Sequence, residues 1–325
     1  VDLTGATLTD ATLTGATLTG VNFSSATLSG SNISAAQLQA AASVTGIDVT
    51  GNDMSGFDLS GLNLTSATLT GTDLSGATLT GTTLTSADLS DATLAGSNIS
   101  AAQLQAAASV TGIDLTGNDM DYFDLSNLNL TGATLTDSWM SGADLSGANL
   151  SGANLRAANL FETKFGAAVL IGADLSTANL SWAVFNGAIL NGANFNEVKL
   201  QYASIADVDL SMVKGLESLD HSGPSSIGVD TIFKSRGDIP EVFLRGCGLD
   251  ESLITFVRSL TTTPTQFYSC FISYSHADAS FARRLHNALQ SQEQQKCPLQ
   301  GRPPGERSGK APSLGPDTQQ LRQAL

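Results

Sequence analysis

The feature that most restricts what this chain can become is a large apolar residue every five positions, at Leu3, Leu8, Leu13, Leu18, Phe23, Leu28 and Ile33. An α-helix repeats in about 3.6 residues and a strand in two, so neither sustains that period. The ladder resumes from Val49 to Ile99 and again from Leu115 to Leu210, giving 7, 11 and 20 units, 38 in all. Two residues before each central residue stands a small or apolar one, typically alanine, as at Ala11, Ala77, Ala143, Ala148, Ala153 and Ala193. Asp, Asn or Thr lies between them, and Ser, Thr and Gly usually follow. In a short extended segment alternate side chains point to opposite sides, so alanine and leucine share one side and the polar residue faces away. The remaining pair, often Thr-Gly or Ser-Gly, supplies a turn. A segment that meets a corner every five residues must wind about an axis and stack on its own next turn. Such a narrow interior leads us to expect a small residue as obligatory at the alanine position. One buried side chain per unit works against the chain entropy of five residues, so stability depends on unbroken stacking.

Segments such as Ala143-Asp144-Leu145-Ser146-Gly147 and Ala148-Asn149-Leu150-Ser151-Gly152 match A-[DN]-L-x-x in full, and over residues 1–212 the chain resembles the pentapeptide-repeat family. The resemblance implies an all-β fold, a right-handed quadrilateral parallel β-helix with four units per coil. Its axial ladder then includes Leu135, Leu145, Leu150, Leu155, Leu160, Phe165, Leu170, Leu175, Leu180, Phe185, Leu190 and Phe195. At ~4.8 Å between stacked strands, 38 units extend about 45 Å.

Two breaks interrupt the ladder. Leu38 to Val49 and Leu104 to Leu115 each span eleven residues, one more than two units. Ser34-Ala35-Ala36-Gln37 reads as a capping box and Gly46 as a helix stop, which predicts short surface helices at about 35–44 and 101–110. Residues 31–48 and 97–114 are identical over eighteen positions, a duplication offset by 66 residues.

Composition narrows function. Residues 1–210 carry nineteen Asp or Glu against three bases, Arg156, Lys164 and Lys199, and this segment holds the whole excess behind the formal charge of −15. An acidic surface argues against direct nucleic-acid binding, which needs clustered Lys and Arg, and leaves a basic protein partner open. Cys247, Cys270 and Cys297 show no paired or metal-binding spacing and suit a reducing compartment. With no apolar run long enough to span a bilayer, the expected location is cytoplasmic. Val1 lies already within a repeat, so an N-terminal piece is expected to be missing from this sequence. Trp139, Trp182, Phe161 and Tyr202 fall outside the ladder, either as an exposed patch or, as the favoured reading, as covers for corners and inserts. His221 and His286 read as surface residues.

After Leu210 the ladder decays. Residues 213–266 read as a junction that covers the open end of the last coil, with an amphipathic helix at about 250–259. Residues 267–292 include Cys270-Phe271-Ile272-Ser273-Tyr274, a buried-strand signal, then a turn and a helix stripe at Phe281, Leu285 and Leu289. This resembles the opening strand and helix of a TIR (Toll and interleukin receptor) domain, a small C-terminal α/β fragment. The resemblance places Tyr274, Ser275, His276 and Asp278 near a nucleotide or self-association surface, at the carboxyl edge of a flavodoxin-like sheet. The family's later catalytic glutamate has no counterpart, and residues 293–325 read as a disordered or aberrant tail, a truncation or frameshift after Gln292.

The expected function is a non-catalytic scaffold carrying an incomplete TIR signalling domain, acting through protein partners, homotypic TIR association or end-to-end solenoid contact. It needs no cofactor or metal, and NAD only if the TIR domain were complete. The alternatives are a TIR-type NAD hydrolase of bacterial defence and an acidic DNA mimic inhibiting a topoisomerase. Residues 1–210 contain no histidine and no nucleophile and base constellation.

Overall fold

The computed structural model describes residues 1–262, which belong to one compact unit. The five-residue units wind into coils. Parallel bridges join residues twenty apart, such as Asp124 with Asp144 and Asn149 with Val169, so each coil holds four units. The extended part of each unit is shorter than a conventional strand and contributes a single bridging residue. Two-residue strands occur only at β1 (Ser204–Ile205) and β2 (Ser226–Ile227), which pair in parallel.

Backbone accounting explains why the pattern coils. In the unit 143–147 the Ala143 amide closes a turn on the Met140 carbonyl, 3.1 Å. Asp144 donates to Phe123 of the preceding coil, and Leu145 and Gly147 donate to Lys164 and Gly166 of the following one. The fifth amide, Ser146, donates to Asp144 Oδ1 at 2.9 Å. All five donors are thus satisfied, as buried backbone requires. Gly147 has φ +70°, the left-handed corner that glycine adopts without cost.

The ladder residues from Leu135 to Phe195 named above are each no more than 2 % exposed. Phe165 and Phe185, one coil apart, stack with centroids 4.9 Å apart and planes 4° from parallel. The alanine position is less restricted than the sequence suggests. Ile47, Ile113, Val198 and Val208 occupy it fully buried, and Phe57, Leu62, Phe123 and Leu128 pack partly buried against the core. Threonine and asparagine there reach a carbonyl of the preceding coil, as Thr163 Oγ1 does to Met140 at 2.8 Å and Asn52 Nδ2 to Leu28 at 3.0 Å.

The inserts form helices α1 (Ala35–Ala40) and α2 (Ala101–Ala106), each behind the expected capping box on Ser34 or Ser100. They are shorter than 35–44 and 101–110, and the chain does not leave the coil. Leu38 and Leu104 stay buried, and the chain bridges back at Ser43 to Asn22 and at Ser109 to Asp88, making a coil of twenty-one residues. That early return overrides the helix propensity of the alanine run. Gly46 is not a helix stop, because the helix ends at Ala40; it is an ordinary corner at φ +69°. Where a helix interrupts the bridges, glutamines supply donors. Gln37 Nε2 donates to Leu13 and Ala16 carbonyls, and Gln39 Nε2 to those of Asp58 and Ser60. The duplication offset is three coils (21, 20 and 20 residues) plus one unit of five, so α2 lies one side further round the axis than α1.

Past Leu210 the stacking continues through Asn194–Lys214 and Lys199–Asp220 bridges to β2. Helix α3 (Val229–Lys234) then closes the end, where Thr231 Oγ1 accepts from the Val208 amide and Ser235 Oγ from the Leu210 amide at 2.9 Å. Helices α4 (Glu241–Gly246) and α5 (Glu251–Thr262) follow, joined by Arg245 to Glu241 and Glu251, and by Arg258 to Glu241. His221 is not a surface residue as expected. It packs edge-on against Phe243, centroids 5.4 Å apart, with both ring nitrogens shielded from water. Burial pulls its pKa below the usual histidine value.

Candidate interaction face

Each coil presents four faces, and one differs from the rest. It is built by units 118–122, 138–142, 158–162, 178–182 and 198–202, stacked through the bridged column Asp119, Trp139, Asn159, Asn179 and Lys199. Trp139 is the outward residue of its unit, Phe161 follows its central residue, and Tyr122, Trp182 and Tyr202 stand at the corner. Both tryptophans of the chain, both tyrosines among the described residues and the half-buried Phe161 therefore lie on one face across five consecutive coils. Of the two readings of Trp139, Phe161, Trp182 and Tyr202, an exposed patch or covers for corners and inserts, both hold in part: Trp182 and Tyr202 stand at a corner, none of the four lies on an insert, and all four share one face with Tyr122.

The aromatic rings are exposed and ordered against one another. Tyr122 is 79 % exposed and Trp139 56 %. Trp182 and Tyr202 meet with centroids 4.9 Å apart at 34°. Tyr122 lies over Gly142, where an added Cβ would meet its ring at 2.6 Å. Three of these residues also sit in a conformation that suits them poorly: Tyr122, Trp182 and Tyr202 have φ of +60°, +63° and +55°. The left-handed region costs a residue with a Cβ roughly 1–2 kcal/mol, and most equivalent corners here carry glycine or a small polar residue. Strain of this kind points to a role for the side chain beyond the fold.

The outward carboxylates do more than keep the surface wet. Asp53 Oδ1 accepts from the Ser55 hydroxyl at 2.7 Å and its amide at 3.0 Å, and Asn149 Oδ1 accepts from Ser151 in the same way. The hydroxyl first, then the amide, hold the Asp53 carboxyl below the usual range.

The described residues offer little else for chemistry. No group of three His, Cys, Asp or Glu among them is placed to hold a metal, and none of their helices is long and apolar enough to cross a membrane. Cys247 is buried, which pushes its thiol up to about 12 and leaves it protonated and inert. Tyr274, Ser275, His276 and Asp278, the expected TIR segment 267–292, His286, Cys270, Cys297 and the tail 293–325 lie outside the described residues.

A family model of pentapeptide repeats matches in eight copies over residues 1–39, 45–81, 73–107, 108–147, 140–176 and 178–212. HetL, a pentapeptide-repeat protein involved in heterocyst differentiation regulation from the cyanobacterium Nostoc sp. Strain PCC 7120, is 32 % identical. The match covers 66 % of this chain and 88 % of HetL, with a TM-score of 0.26. The chain is a pentapeptide-repeat protein. That family forms a right-handed β-helix, to which the twenty-residue coil conforms. Other solved structures are more distant. A trypsin-treated form of QnrB1, a plasmid-mediated fluoroquinolone resistance protein, is 22 % identical over 68 % of this chain and 90 % of its own, TM-score 0.26. Rfr23 from the cyanobacterium Cyanothece 51142 is 22 % identical over 45 % and 85 %, TM-score 0.23. No curated protein matches the chain.

Proposed function

We propose that this pentapeptide-repeat protein is a non-catalytic protein-interaction scaffold that presents one rigid binding face and carries, from residue 267, the opening of a TIR domain. The observation that carries the scaffold reading is the gathering of Tyr122, Trp139, Phe161, Trp182 and Tyr202 on one of four faces. Aromatic residues dominate interface energetics, and coil-to-coil backbone hydrogen bonds along the face, such as Tyr122 to Ser141 and Trp182 to Gln201, hold them in fixed register. The TIR reading rests on the Phe271-Ile272-Ser273-Tyr274-Ser275 segment alone, with Tyr274, Ser275, His276 and Asp278 at its nucleotide or self-association edge.

DNA mimicry is the weaker reading, because the carboxylates do not form continuous rows. The bridged column Asp114, Thr134, Asn154, Asp174, Asn194 is charged at two of five positions.

Two measurements test the proposal. Extract from the source cells is passed over the immobilised chain, over a Trp139→Ser, Trp182→Gly, Tyr202→Gly variant, and over Ile171→Ser, Ile189→Ser on the opposite face. Proteins retained by the first and third but lost on the second support the scaffold, and identical retention on all three refutes it. Incubation of the full chain with NAD is expected to release no nicotinamide, whereas release would replace the scaffold reading with a hydrolase.

A further inference from the structure

We infer that the aromatic face binds an arginine-rich, extended segment of another polypeptide. This deepens the scaffold reading and rests on it. The argument is charge complementarity joined to ring geometry. The face and its leading corner carry five carboxylates, Asp119, Asp121, Asp137, Glu162 and Glu197, against two bases, Arg156 and Lys199. None of the five is in an ion pair among the described residues, which leaves each open to a cation from another chain.

Exposed aromatic rings interleaved with unpaired carboxylates recognise cations. A guanidinium lies flat on an indole or phenol while its edge donates to a carboxylate, and arginine does both better than lysine. A second copy of this chain would oppose the same acids to one another, so like charges disfavour self-association through this face. The rings climb one coil at a time from Tyr122 to Tyr202. Four steps of ~4.8 Å make about 19 Å, the reach of about six residues of extended chain. The corner positions add a separate argument. Tyr122, Trp182 and Tyr202 hold left-handed backbone where glycine would be at ease, so the rings are kept at the expense of local stability, as expected of a surface retained for binding.

The chain contains its own reporter, because its two tryptophans, Trp139 and Trp182, both lie on this face. The full chain is titrated with a short peptide of alternating Arg and Gly, free of aromatic residues, and with Lys-Gly and Glu-Gly peptides of equal length. Tryptophan emission follows the titration, and calorimetry repeats it. A saturable emission change is expected with Arg-Gly, a weaker one with Lys-Gly and none with Glu-Gly. Trp182→Gly with Tyr202→Gly should weaken Arg-Gly binding by about tenfold or more. The thermal midpoint should stay the same or rise, because glycine suits those corners. Ile171→Ser with Ile189→Ser on the opposite face should leave binding unchanged.

Absence of any emission change overturns the inference. So does Arg-Gly binding that the Trp182→Gly, Tyr202→Gly pair leaves intact, since charge alone would then be the attraction. Sedimentation that shows a dimer which the same pair dissociates also overturns it and makes a second copy the occupant, while the scaffold reading survives. If the pair alters neither peptide binding, self-association nor retention of cellular proteins, both readings fail together.

Discussion

Replacing Leu150 by Ala tests the stack where it is most enclosed. Leu150 is fully buried, as are Leu130 and Leu170 in the coils on either side, and its amide donates to Val169 at 2.7 Å. The substitution leaves that hydrogen bond in place and removes three carbons from the axis. At about 0.8 kcal/mol per methylene the transfer term is about 2.4 kcal/mol. A coil pinned by bridges above and below cannot collapse onto the hole, so a cavity term raises the total to about 3–4 kcal/mol. The internal control is Leu8→Ala in the first coil, where the side chain is only partly buried and the loss should be about 1–2 kcal/mol. Urea unfolding followed by far-ultraviolet circular dichroism measures both. In a stack where each coil touches only its neighbours, a central hole should also lower the m-value, as the parts on either side begin to unfold separately. Equal losses at the two positions, or a loss below about 1 kcal/mol at Leu150, would refute the idea that one side chain per unit fills a common axis.

Other outcomes follow from the same geometry. Asn149→Ala removes the acceptor for the Ser151 amide and hydroxyl and should cost about 1 kcal/mol in urea unfolding, while Asn149→Asp should cost much less. Gln103→Ala frees the Leu79 and Thr82 carbonyls that its amide caps at 2.8 and 2.9 Å, and should lower stability by about 1–2 kcal/mol. Acid should weaken the stack by a route with a fixed sign. Asp53, Asp58, Asp88 and Asp144 have folded pKa values below the ordinary 3.8, first because neighbouring serine hydroxyls donate to them. Their contribution is therefore complete above about 3.8 and is lost as pH falls through the lowered values. Thermal melts should show a fall below that pH which shrinks when the four are changed to Asn.

The sequence made the fold legible because the five-residue period is local and nearly unbroken. The eleven-residue spacings Leu38–Val49 and Leu104–Leu115 likewise announced the inserts and their capping boxes. Helix length was not legible, since what ends α1 at Ala40 is the need for Ser43 to pair with Asn22 in another coil. The capping role of the outward Asp and Asn required tracing each amide, which periodicity does not do. The aromatic face was hidden by spacing. Residues 122, 139, 161, 182 and 202 look scattered until their numbers are reduced by twenty, a period that four units per coil implied but that shows only across units, because the five hold three different positions within their own units. The tolerance of Ile47 and Phe57 at the alanine position reflects local trading of volume that no single unit reveals.

The central claim is that residues twenty apart are stacked neighbours, which alone brings the aromatic residues into one face. With Cys247, Cys270 and Cys297 changed to Ala, cysteines replace Trp182 and Tyr202, and mild oxidation is followed by mass spectrometry. A spacing of ~4.8 Å between coils lies within disulfide reach, so this pair should form an intramolecular bond readily. A pair at Thr177 and Tyr202, one corner further round the coil, should not. Failure of the first pair to close, or equal closure of both, would contradict the account.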